Sequence, residues 1–194
     1  MTLAMWLVLV GTLGLAAVLS RAPVGAEAEL TGRHAVGEVT VSLPAGWEIR
    51  DESIVFVRKR TVAIETGPAA SARRVAVTVE ADSDRFPADV VSDELASRGV
   101  MDARFMDPQF PMGPVTGVMV GGDRAQGPLR RGDAGGIAVA VARIPGTSRL
   151  LRLEIHSGKL GRADVALLRR IADTIEIRPA ATSARAENAT TTSQ

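Results

Sequence analysis

Cysteine is absent from the 194 residues, which excludes disulfides, thiolate metal sites, a cysteine nucleophile and the lipid-modified cysteine of bacterial lipoproteins. Tyrosine is absent too, and aromatics make up only 3% of the chain. A core must therefore be built from Val, Ile, Leu and Ala, and few rings remain to stack on bases or sugars. No sign of charge prevails: 23 basic residues stand against 22 acidic ones, and the net charge of +1 gives no long-range field for nucleic acid or anionic lipid. Lysine occurs only at Lys59 and Lys159, so nearly all the basic residues are arginine.

What is present begins with a hydrophobic fraction of 46%, enough for one packed domain with extensions. From Leu3 to Leu19 no residue is charged, and Trp6 to Val10 is the densest apolar stretch. As a helix this run is about 25 Å long, short of the roughly 30 Å hydrocarbon core. Pro23 follows, then Ala26 and Ala28 in the A-x-A arrangement that signal peptidase reads. Residues 1–28 are accordingly expected to be a signal peptide, or else an uncleaved N-terminal membrane anchor. Either places the remainder in the periplasm or on the extracytoplasmic face of the inner membrane, touching lipid only through this segment.

Residues 29–33 read as a linker, and the domain is expected over 34–179. Val39, Val41 and Leu43 alternate with Glu38, Thr40 and Ser42 as a half-buried strand, and Pro44 to Gly46 turn the chain. Further strands are expected at 54–58, 61–65 and 74–81, the last with Val75, Val77 and Val79 inward and Ala76, Thr78 and Glu80 outward. A helix is predicted from Pro87 to Arg98, with Pro at its start, Asp89 near its positive end and Gly99 as stop signal. Residues 100–114 read as irregular because Pro108, Pro111 and Pro114 interrupt them. Strands then follow at 115–120, 124–131, 136–144 and 149–156. In the third of these both faces are apolar, the mark of an interior strand. A second helix over 160–173 buries Val165, Leu168, Ile171 and Ala172, and Ile175 and Ile177 lie on a short closing strand. The Ala, Thr and Ser rich residues 180–194 read as a disordered tail.

Chemistry-bearing patterns are few. His34 and His156 have no metal-ligand or base spacing around them and read as surface histidines. Asp82 and Asp84 begin like a calcium loop, but Phe86 and Pro87 follow where a ligand and Gly are needed, so their expected role is to start the first helix. Gly121–Gly122 and Gly135–Gly136 lack the pattern of a phosphate loop and read as turns. No catalytic residue, metal ligand or cofactor is assigned. An acid pair such as Asp123 with Asp133 could meet only in space. The remaining candidate is a partner contact at Phe105, Met106, Phe110 and Met112, where flexible thioethers alternate with rings; the plain alternative is a long loop packing its own apolar residues onto the sheet.

Leu43, Pro44, Gly46 and Trp47 look like the LPxGW turn after the first strand of the PsbP-like fold, and 167–177 looks like its terminal helix running into a short strand. On these motifs the chain resembles that family, which includes PsbP, Mog and bacterial envelope proteins of the DcrB type. The resemblance implies an α+β domain, an antiparallel β-sheet with two main helices packed on it as an α/β/α sandwich. It also implies an accessory or binding role rather than an enzymatic one. The expected function is a non-enzymatic interaction domain whose partner is another envelope protein. The alternatives are a hydrolase with a spatially assembled acidic site and a carrier of a small apolar ligand.

Overall fold

A computed structural model describes residues 29–54, 58–66, 73–81, 83–124 and 135–178. The expected cleavage residues Ala26 and Ala28, the apolar segment before them, residues 125–131 of one expected strand, Asp133 and the tail lie outside the described residues.

The fold is α+β, with every strand pairing antiparallel. A three-stranded sheet is formed by β1 (Leu30–Val36), β2 (Val39–Pro44) and β10 (Glu176–Ile177), in the order β1-β2-β10. The larger, seven-stranded sheet contains β3 (Glu48–Ile54), β4 (Arg58–Ile64), β5 (Arg74–Val79), β6 (Val100–Met112), β7 (Val115–Arg124), β8 (Gly136–Arg143) and β9 (Leu150–Ser157). Its order is β3-β4-β5-β9-β8-β7-β6. Two helices, α1 (Pro87–Ser97) and α2 (Arg162–Asp173), lie on opposite faces of this sheet. Neither helix is long and apolar enough to cross a membrane, and that holds for the described residues.

Layering follows from the alternation on β8. Ile137, Val139 and Val141 point to one face and pack with Val90, Val91 and Leu95 of α1. Ala138, Ala140 and Ala142 point to the other, where they join Leu151, Leu153 and Ile155 of β9. That second face is covered by Leu167, Leu168, Ile171 and Ala172 of α2 and by Val36, Val39, Val41 and Leu43 of the small sheet. Small alanines on β8 leave room for the helix and the second sheet to approach, and the missing aromatics are replaced by many close-packed branched chains. Pro87 at the start of α1 and Gly99, with φ of 70° just past its end, act as the sequence indicates.

Several expectations are corrected. Residues 30–33 belong to β1 rather than to a linker, and Lys59 and Arg60 lie within β4 rather than between strands. Residues 100–112 are not irregular: they form β6, which tolerates Pro108 and Pro111 because it is an edge strand pairing only with β7. Register shifts between Val100 and Asp102, Ala103 and Phe105, and Asp107 and Phe110 absorb the misfit. Gly121 and Gly122 make no turn; they sit inside β7, where a Cβ on Gly122 would lie 2.2 Å from Asp102 O. Asp84 does not cap α1, whose N-cap position is held by Phe86 without a side-chain bond.

Candidate functional site

Strand register assembles an ionic cluster on the α1 side of the large sheet, beyond the area the helix covers. Across β3, β4, β5 and β9, the residues Glu52, Arg60, Thr78 and Arg152 stand opposite one another in a single row. Glu154 occupies the next row, opposite Ala76, and His156 the one after, opposite Arg74. Both rows run on into Val139 and Ile137 of β8, so the face changes from ionic to apolar between β9 and β8.

The cluster is buried. Glu154 has a side-chain exposure of 1%, Arg152 of 9% and His156 of 11%. His156 Nε2 donates to Glu154 Oε2 at 3.0 Å, and Arg60 Nη2 lies 3.6 Å from the same oxygen. Arg152 spans the cluster: Nη1 donates to Glu94 of α1 at 2.8 Å, Nη2 lies 3.2 Å from Glu80, and Nε is 3.0 Å from Glu154 Oε1. This last contact is an ion pair out of line for a hydrogen bond, leaving both atoms without a hydrogen-bond partner, as is Thr78 Oγ1. Glu52 bridges Arg60 and Arg74 at 3.7 and 3.6 Å. His156 is therefore a buried partner of a carboxylate, which corrects its reading as a surface histidine. Thr78 and Glu80 are buried rather than outward.

Burial alone raises the Glu154 carboxyl, but the His156 bond and the positive charges of Arg152, His156 and Arg60 overcome it and bring the pKa down to about 2. The unfolded carboxyl titrates near 4.5. The stability that Glu154 contributes is thus complete above about pH 4.5 and lost as pH falls toward 2, roughly 3 kcal/mol in all. Urea titrations at steps between pH 6 and pH 2.5 should show the midpoint falling over that window, with a much flatter profile for Glu154→Gln. An acid held this firmly ionised between cations does not donate a proton near neutral pH, and through the Arg152–Glu94 bond the cluster ties α1 to β9.

The expected contact residues are separated by the β6–β7 hairpin. Phe110 and Met112 are fully buried in the core, Phe105 is half-buried against it, and Met106 remains 70% exposed. Arg169 of α2 lies over the Phe110 ring and bonds Asp107 at 2.6 Å, fastening the hairpin to the helix. Phe110 and Met112 therefore have no surface to offer a partner, and of the four only Met106 is freely displayed. Phe110→Ala should destabilise the fold by about 3 to 5 kcal/mol, whereas Met106→Ala should stay within about 0.5 kcal/mol, both read from urea midpoints.

A second feature, absent from the sequence reading, lies where three turns meet the end of β10. A groove of 1090 Å³ is lined by Pro114 of the β6–β7 turn, Ile144 to Arg149 of the β8–β9 turn, Glu38 beyond β1, and Ile177 and Arg178 at the end of β10. Arg149 pairs with Glu38 at 3.0 Å, and Arg178 N donates to Glu38 O at 2.8 Å, so the walls are tied together. Glu38 lies at the far end of the β1–β2 hairpin from Glu29, with the seven residues of β1, roughly 20 Å, between them. The groove thus opens at the end of the domain opposite the point where the chain arrives from its N-terminal segment. Among the described residues no group of three or more His, Asp or Glu is placed to hold a metal ion. Compared with known proteins, the chain matches no family model and no curated protein.

Proposed function

We propose that this chain is an exported accessory domain of the bacterial cell envelope, held or released on the outer face of the inner membrane, and that it works by binding another envelope protein in the groove beside Glu38. The observation that carries this reading is the position of the groove. It combines an apolar lining from Pro114, Ile144, Pro145 and Ile177 with charged residues, and it sits at the end of the β1–β2 hairpin away from Glu29. A domain tethered through residues 1–28 would turn that end away from the bilayer, toward a partner. Binding clefts commonly pair such an apolar lining with a few fixed polar groups.

The PsbP-like resemblance belongs to the same proposal. It is supported by Leu43 to Trp47 lying at the turn from β2 into β3, and by α2 leading directly into β10. Each acid in the ionic cluster is bound by arginine, which favours a structural role there over acid–base catalysis.

The test replaces the native copy by Thr147→Trp, which fills the groove from an exposed turn. In detergent extracts of the envelope, the native chain should sediment with a larger complex and the variant as a monomer. If both sediment as free monomers, or if the protein is shielded from protease added to spheroplasts, the reading is overturned.

A further inference from the structure

The groove has a sign as well as a shape, and, resting on the reading that it is the contact site, we infer that its occupant is an extended acidic peptide segment of the partner, with a carboxylate set among proline or aliphatic side chains. Three charged residues line the groove: Glu38, Arg149 and Arg178. Arg149 pairs with Glu38 Oε2 at 3.0 Å while Glu38 Oε1 is buried without a hydrogen-bond partner, and in net charge Arg178 is the excess. Arg178 donates Nε to Thr40 Oγ1 at 3.2 Å, a bond that fixes the guanidinium plane. The rest of its planar fork matches a carboxylate in two-point geometry.

The extended form follows from the strand that borders the groove. β10 is an edge of the small sheet, pairing only with β2, and its Ile177 is part of the lining. A segment laid against this two-residue strand can bond the outward main-chain groups of Ile177 and place alternate side chains against Ile144, Pro145 and Pro114. The walls need little rearrangement. Arg178 N is held by Glu38 O, Ile144 N by Arg149 O at 3.0 Å, and Thr147 N by Ile144 O at 3.2 Å. Such fixed walls lower the ordering cost of binding.

The experiment pans a phage-displayed library of random dodecapeptides against the full chain in detergent, then measures the enriched peptides on the native chain and on Arg178→Glu. The expected result is a consensus of Asp or Glu beside Pro, Ile or Leu that shifts the amides of Gly146 to Arg149 and Ile177. Its affinity should fall at least about ten-fold in R178E or when its acid becomes Lys. Peptides that shift the same amides but need no acid, or that ignore R178E, overturn the inference and leave the groove as contact site intact. Peptides that map elsewhere, or no enrichment at all, overturn both. If Glu187→Arg in the full chain creates peptide binding that the native chain lacks, the chain's own residues beyond Arg178 are the occupant and the inference falls.

Discussion

Glu154→Gln is expected to lose about 3 to 5 kcal/mol of stability, because it leaves Arg152 and Arg60 buried beside a neutral amide. Glu154 stands 3.0 Å from both His156 and Arg152 and is 1% exposed, so water cannot take over its role. In a domain of this size each kcal/mol moves Tm by roughly 3 °C, so a fall of about 10 °C should appear in a thermal melt. The loss measures the broken pairing rather than the worth of the charges themselves. Replacing Arg152 and Glu154 together by Met and Leu removes one charge of each sign but still leaves Arg60, His156 and Glu80 without these partners, so it should recover only part of the loss. Because Arg152 also bonds Glu94, the double variant should weaken protection of α1 in hydrogen exchange even where part of the global stability returns.

Gly113→Ala is expected to cost on the order of 3 kcal/mol and, unlike the first substitution, to distort the groove. Gly113 has φ of 62°, which an L side chain adopts only under strain, and a Cβ there would lie 2.0 Å from Ile175 O. That oxygen belongs to backbone, so relief requires the β6–β7 turn and the segment leading into β10 to part. Pro114 and Ile177 stand on either side of this contact and both line the groove. Urea midpoints should fall, and amide shifts should concentrate at 144–149 and 175–178. By contrast, Gly146→Ala should strain only its own turn, since a Cβ there meets nothing within 4 Å.

The helices and the paired-face strands were legible in sequence because their patterns are local. Pro87 and Gly99 bracket α1, and Val139 with Ala140 on β8 shows apolar residues on both faces, which only an interior strand presents. β6 was not legible, since Pro108 and Pro111 break a ladder unless the strand lies at an edge, and edge position is a property of topology. The ionic cluster was hidden for a related reason. Arg152, Glu154 and His156 alternate with Leu151, Leu153 and Ile155, the pattern of a strand with one wet face. Only the register that brings Arg60, Arg74 and Glu80 alongside shows that long charged side chains roof one another. A faint signal existed in Gly136 to Ile144, whose two apolar faces require cover on both sides of its neighbours. The groove left no local trace, because its lining comes from three separate turns and the end of β10.

Charge on the outer strands bears on how the domain meets others. β3, at one edge of the large sheet, carries Glu48, Arg50, Asp51 and Glu52, and β6, at the other, is broken by prolines and bulges. Both edges are poor templates for adding another strand. The small sheet has two further edges, β1 and β10, and of these β10 is the one whose residues line the groove.

The most direct test places a photo-crosslinking residue at Thr147, in the groove, and separately at Arg162, at the opposite end of the domain, in the native host. The account predicts a discrete adduct with an envelope protein from Thr147 that disappears in R178E, and none from Arg162. Adducts from Arg162 alone, or adducts from Thr147 only with cytoplasmic proteins, would contradict it.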